Sequence, residues 1–187
     1  MTNTAPQLIL ITGLPGTGKT TFARALAGEM GLPHYNTDGT RNALGLRGKY
    51  DAATKALVYK HLLQQTKEQL QNGQSVVIDA TFYTPTLRQP FLDLAQELEI
   101  PARWIELEAA EEVIRTRVGF KRPDSEADFA VYLKLKEQYS GPGCPHLRMR
   151  SDELLLADMV RRAKSYLRPK QNLFVASSKL DFSFAVV

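Results

Sequence analysis

The sequence predicts an α/β domain: a five-stranded, mostly parallel sheet with helices on both faces, three layers in all. Three observations carry this. Short apolar runs of strand length alternate with longer segments whose apolar residues recur every third or fourth position. Glycines and prolines stand at the changes between them, and strands alternating with helices imply a parallel sheet covered on both sides. With 187 residues the chain can hide roughly 70% of its unfolded surface. It therefore needs no metal or disulfide staple.

Leu8 to Thr12 is an apolar run and reads as a buried strand. Thr20 to Met30 reads as a helix, with Phe22, Leu26 and Met30 spaced by four and Ala23 and Ala27 beside them. Gly31 suits its end, since glycine accepts the left-handed conformation after a helix. "PHYNTD" reads as a short second strand ending at Asp38. Asp51 to Asn72 reads as a long helix stopped by Gly73, and Ser75 to Asp79 as a third buried strand. Leu87, Phe91, Leu94, Ala95 and Leu98 mark a helix started by Thr84-Pro85, with Pro90 suggesting a later first turn. "ARWIEL" is the fourth strand and Glu111 to Val118 the next helix. Ser125 is expected to begin a further helix with Asp128 at its third position. "HLRM" is the fifth strand, followed by a helix from Asp152 to Leu167. In such sheets ligands bind outside the carboxyl ends of the strands. Those ends are expected to carry the Gly13 loop, Asp38 and Asp79.

Composition fits this picture: 43% hydrophobic and 24% charged residues are a soluble globular mixture. The single cysteine, Cys144, excludes an internal disulfide. The polar start "MTNTAPQ" lacks the basic and apolar pattern of a secretion signal, and no apolar run approaches 18 residues. A cytoplasmic protein without a membrane span is expected. The net charge of +4 suits anionic ligands such as nucleoside triphosphates and equally suits an inert surface. His34, His61 and His146 show no metal-ligand spacing.

Gly13, Gly18, Lys19 and Thr20 spell G-x-x-x-x-G-K-[ST], between an apolar strand and an amphipathic helix. Glycines let main-chain N–H groups turn inward without a Cβ collision and so cradle an anion. The following helix points its positive end at the same place. Lys19 supplies a mobile cation for the outer phosphates and Thr20 a hydroxyl for Mg²⁺. Gly13, Pro15, Gly16, Thr17, Gly18, Lys19, Thr20 and Thr21 are the expected triphosphate-binding set, and a P-loop NTPase fold follows.

A phosphate cradle is shared by motors, switches and kinases, so function must come from the other strand ends. In "NTDGTR", Asp38 and Arg41 would share a face if Gly39 opens a helix. The acid could then take a proton from a substrate hydroxyl and the guanidinium grip an anionic group. Equally, the pair could be a helix cap and a surface arginine. Asp79 follows three buried residues and would either support the metal through water, or hold an acceptor, or cap a helix or turn. Arg115, Arg117, Lys121 and Arg122 cluster between two helices, and Gly119 and Pro123 mark a loop. This segment, about 115–128, is expected to be a small basic lid over the triphosphate.

Taken in order, "GLPGTGKTT", "DGTR", "VVIDATF…R" and "R…SEA" resemble the small P-loop kinases of the polynucleotide-kinase and zeta-toxin-like group. The resemblance covers about residues 7–168. It implies ATP as phosphoryl donor with Mg²⁺, Asp38 as the base that deprotonates an acceptor hydroxyl, and Arg41 as an acceptor contact. It further implies that Asp79 organises acceptor and metal and that Arg115 or Arg122 contacts the phosphates. Arg88 stands where the family often has an arginine, and a packing role or a surface ion pair suits it equally. The acceptor stays open: a small molecule, or a nucleic-acid 5′ end. "SSKLD", with Lys179 and Asp181, loosely matches a guanine-reading motif, and the arrangement of a motor ATPase or of a non-catalytic ATP-binding module is a further alternative. Arg161, Arg162, Lys164, Arg168 and Lys170 either bind a nucleic-acid backbone or form a solvated helix face. Residues 169–187 alternate apolar Leu180, Phe182, Phe184 and Val186 with smaller or polar residues, as an edge strand would.

Overall fold

In the computed structural model of the chain, residues 5–120 and 127–168 are described. Five strands form one sheet: β1 (Leu8–Thr12), β2 (His34–Asn36), β3 (Val76–Asp79), β4 (Ala102–Glu108) and β5 (Leu147–Arg150). Their order is β2-β3-β1-β4-β5, and all four pairings are parallel. The expected five-stranded sheet is present, and it is wholly rather than mostly parallel.

Among the described residues seven helices flank the strands: α1 (Lys19–Met30), α2 (Thr37–Ala43), α3 (Ala52–Gln71), α4 (Pro85–Glu97), α5 (Glu111–Val118), α6 (Phe129–Gln138) and α7 (Leu156–Leu167). The pleat divides the core in two. Ile9, Ile11, Val77, Ile105 and Met149 point to the face covered by Phe22 and Leu26 of α1 and Met159 and Ala163 of α7. Leu8, Leu10, Ile78 and Trp104 point to the other face, covered by Leu62 and Leu70 of α3 and Phe91 and Leu94 of α4. The central strand β1 is therefore apolar at every position, because it is buried on both faces.

Several helix boundaries differ from the sequence reading, each for a local reason. β2 ends at Asn36, whose side chain accepts from the Gly39 N–H at 2.6 Å and caps α2. Asp38 thus lies in the first turn of a helix rather than at a strand end, and the helix opens at Thr37 rather than Gly39. Asp128 is the N-cap of α6, its carboxylate accepting from the Val131 N–H at 2.9 Å, not a third helical residue. Helix α4 starts at Pro85 despite Pro90. The Thr86 carbonyl that Pro90 cannot bond belongs to an exposed residue, where water can satisfy it. Helix α7 starts at Leu156, because Asp152 turns back to the Arg150 guanidinium and the Ala110 N–H. Ser125 and the expected edge strand in 169–187, with Lys170, Lys179 and Asp181, lie outside the described residues. No helix among the described residues is long and apolar enough to cross a membrane.

Candidate active site

Parallel register sets the strand ends side by side: Ile11 and Asn36 both flank Asp79, Thr12 flanks Glu106, and Glu108 flanks Arg150. The loop from Gly13 to Gly18 leaves β1 in the middle of this edge. Gly13, Gly16 and Gly18 have φ of 139°, 84° and 84°. A Cβ on Gly13 would lie 2.2 Å from the Leu107 carbonyl oxygen, and one on Gly16 2.9 Å from both Ile114 Cγ2 and Val118 Cγ1. The loop is thus pressed against β4 and α5, and only glycine fits at these points. The Thr17 hydroxyl and the Lys19 ammonium both donate to the Leu14 carbonyl, at 2.8 and 2.9 Å. Pro15, within the loop, is buried. Thr20 is half-buried in the first turn of α1, and Thr21 is exposed on the next position.

The carboxylate of Asp38 accepts from Arg41 Nη1 at 3.0 Å. Arg41 is only 5% exposed; it also donates through Nε to the Lys49 carbonyl and stacks 4.5 Å above the Tyr50 ring. The i,i+3 spacing does place both on one face of α2.

Asp79 is buried, and His34 Nε2 lies 3.2 Å from its Oδ2. The carboxylate at the end of β3 is therefore held by an imidazole of the edge strand, a partner that sequence reasoning missed. Among the described residues no three His, Cys, Asp or Glu side chains converge as a metal-binding group. Of the two expected metal residues, Asp79 is the one met by His34, and Thr20 stands in the first turn of α1 directly after the loop.

Arg115 and Arg122 were the expected lid cations. Arg115 is exposed, with its guanidinium stacked 3.8 Å from the centre of the Phe129 ring, joining α5 to α6. Arg122 lies outside the described residues, as does most of the lid loop. Arg117, grouped with them in sequence but not singled out, reaches the phosphate loop itself. Its Nη1 donates to Ser151 Oγ at 2.8 Å and to the Gly16 carbonyl at 3.3 Å, and Nη2 to the Ser151 carbonyl at 3.2 Å. It ties α5, the loop and the end of β5 together. The signal for it was weak, because Ser151 lies 34 residues away.

The turn after β3 carries a second group. Phe82 is fully buried with φ 46°, an unusual conformation for a bulky residue. Its ring makes edge-to-face contacts with Tyr59, Phe91 and Trp104, which hold the turn in place. The next residue, Tyr83, accepts from the Lys55 ammonium of α3 at 2.8 Å through its hydroxyl. Arg88, 5% exposed, donates to the carbonyls of Phe82 and Ser140, at 2.7 and 2.5 Å, and to the Ser140 hydroxyl at 3.1 Å. It is a buried clamp between two loops, not a surface pair. The loop "YSGPGCPH" is held on its other side by buried Glu106, which accepts from Tyr139 Oη at 2.6 Å and Arg148 Nε at 3.0 Å and lies 3.0 Å from His146 Nε2. Burial first, then the Glu106 carboxylate, push the Tyr139 phenol well above its usual range.

Residues 8–142 match the family described as an AAA domain (AAA_33), and the chain belongs to that family. It is 31% identical over 115 residues to the bifunctional polynucleotide phosphatase/kinase of Schizosaccharomyces pombe, covering 62% of this chain and 24% of that protein. The chain thus spans about a quarter of the length of the first curated relatives it matches. Among solved structures, a proposed kinase from Chloroflexus aurantiacus superposes with a TM-score of 0.70 at 22% identity, over 88% of this chain and 100% of that one. The Mycobacterium tuberculosis APS kinase CysC, in complex with AMPPNP and APS, gives 0.66 at 17% identity over 87% and 98%. The fold is that of the P-loop kinases, as the resemblance implied.

Proposed function

We propose that this chain is an ATP-dependent kinase that transfers the γ-phosphate of ATP to a hydroxyl of a small-molecule or nucleic-acid acceptor. The observation that carries it is the Asp38–Arg41 pair, 3.0 Å apart, on the helix that follows β2 at the same sheet edge as the phosphate loop. The kinase named in the fission-yeast relative and the ATP analogue in the APS kinase complex support the donor and the reaction class.

The loop N–H groups and Lys19 hold the triphosphate, and the dipole of α1 adds to their field. Mg²⁺, when bound, would rest on the Thr20 hydroxyl, with Asp79 in support, and would supply neutralising charge between the outer phosphates. Arg41 orients Asp38 and meets the acceptor. Asp38 accepts the proton of the acceptor hydroxyl as its oxygen bonds to the γ-phosphorus, and the bond from that phosphorus to the oxygen of ADP breaks. Arg115 of α5 and Arg122 of the basic segment that follows it stabilise the charge in transfer.

The acceptor is found by screening labelled ATP against sugars, nucleosides and 5′-hydroxyl oligonucleotides. With that acceptor, Asp38→Asn is expected to cut turnover roughly 10²- to 10⁴-fold while ATP binding persists. Full activity in the variant removes Asp38 from the role of base. A 5′-hydroxyl polynucleotide kinase is the specific second reading, favoured by the name of the fission-yeast relative; labelling confined to oligonucleotides selects it. ATP binding with no transfer to any acceptor selects a non-catalytic module.

A further inference from the structure

We propose that Lys55, seated on the Tyr83 hydroxyl at the sheet edge that also carries the Asp38–Arg41 pair, is a specificity-determining residue that selects acceptors carrying an oxyanion, a phosphate or carboxylate, in addition to the reacting hydroxyl. This deepens the kinase reading above and rests on it for the identity of the acceptor side.

Three features of the molecule point the same way. First, the Lys55 ammonium is held only by neutral groups among the described residues: it donates to Tyr83 Oη at 2.8 Å and lies 5.1 Å from the centre of that ring. An ammonium is ordinarily met by a carboxylate or by water, and half-buried Lys55 has given up part of its water. Second, the place is a poor one for a cation. Lys55 is the fourth residue of the 20-residue helix α3, where the helix field repels positive charge. A cation kept there without a carboxylate partner is better explained by a ligand than by stability. Third, its partner is delivered by a strained turn. Phe82 holds φ 46° in a buried aromatic cluster, and that turn brings Tyr83 to Lys55. Strained backbone held by surrounding packing is typical of ligand-handling segments.

The link to Asp38 and Arg41 is spatial. Tyr59 lies one helical turn beyond Lys55. Its ring meets that of Phe82, the residue before Tyr83, edge to face at 5.9 Å. The turn that carries Tyr83 leaves β3 at Asp79, whose register partner Asn36 caps the helix of Asp38 and Arg41, and α2 packs on α3 through the 3.4 Å hydrogen bond from Thr40 Oγ1 to Gln65 Oε1. The buried Arg88 cation, met by carbonyls and a hydroxyl among the described residues, adds positive potential behind Tyr83. A neutral polyol would leave that potential unanswered; an oxyanion answers it through charge-assisted hydrogen bonds from Lys55.

The test uses matched acceptor probes that differ in one anionic group: gluconate against glucose, glycerate against glycerol, and adenosine 3′-monophosphate against adenosine. Phosphoryl transfer from labelled ATP and direct binding, with AMPPNP filling the nucleotide site, are both measured. The anionic member of a pair is expected to be preferred, and Lys55→Met to raise its KM roughly 10- to 100-fold, with a much smaller change in kcat and unchanged AMPPNP affinity. Lys55→Arg restores part of the preference. Tyr83→Phe, which keeps the ring and removes the hydroxyl, weakens the same preference less. The pair that responds separates a phosphate from a carboxylate source. Transfer without any preference for the anionic member, or equal effects of Lys55→Met on both members, overturns the proposal and leaves the kinase reading standing. If neither these probes nor the acceptors of the wider screen are phosphorylated, the kinase reading loses, and a Lys55-dependent binding of the anionic probes still upholds the oxyanion site. Binding of no anionic probe, or binding indifferent to Lys55→Met, overturns it in that case as well.

Discussion

At Gly13 the backbone runs at φ 139°, and the place a Cβ would take is 2.2 Å from the Leu107 carbonyl oxygen. No L side chain accepts that conformation without moving main chain, because the neighbour is backbone of a central strand. Gly13→Ala is therefore expected to cost roughly 1–3 kcal/mol of stability and to weaken ATP binding at least tenfold, measured by thermal melting and by titration with AMPPNP. Wild-type ATP affinity in this variant would show that the loop does not need its present path. The glycine was legible in the sequence through its spacing to Lys19. Arg117, which grips the same loop from behind through Gly16 and Ser151, was visible only as one of several basic residues. Nothing local separates it from Arg115, which stacks on Phe129 instead.

Among the elements, α5 shows how one carboxylate joins three pieces of the edge. Ala110 caps α5 without a side-chain hydrogen bond of its own. Its N–H donates instead to Asp152 Oδ2 at 2.9 Å, and the same oxygen accepts from Arg150 Nη2 at 2.7 Å. The Arg150 guanidinium, with help from the Ala110 N–H, lowers the Asp152 carboxyl from 3.8 to about 2. A depressed carboxyl stabilises the fold above its unfolded value and loses that effect as pH falls through the folded one. The contribution of Asp152 is thus complete above about pH 4 and lost towards pH 2. Asp152→Asn is expected to lower Tm at pH 7 by roughly 2–4 °C, and the gap to wild type to narrow between pH 4 and 2. A gap that is constant through that window counts against the ion pair as the cause. The sequence placed Asp152 inside α7, since its polar neighbours resemble a helix start; the pull of Arg150 and Ala110 is a contact between elements.

For the whole molecule, the sheet holds the phosphate loop, α2 and the turn after β3 at one edge while two separate cores lock the faces. Ligand bound at that edge should therefore stabilise the fold as a unit. Mg-ATP at about 100 times its Kd contributes roughly 2.7 kcal/mol, or about 5–10 °C in Tm for a chain of this size. Lys19→Ala is expected to remove most of that shift, and a shift of undiminished size in the variant would reject the cradle as the binding site.

The sequence by itself determined the five strands, the helices that cover them and the phosphate loop. These depend on apolar periodicity and on glycines within a few residues of one another, where short-range sterics and burial decide the outcome. It also held the Asp38–Arg41 pair, because three residues along a helix is one turn. Only the tertiary structure decided that Asp79 meets His34 across 45 residues, that Lys55 meets Tyr83 across 28, and that Arg117 meets Ser151 across 34. Those partners are chosen by strand order and by which helix crosses which face, and each single residue type there would suit many other surroundings equally well.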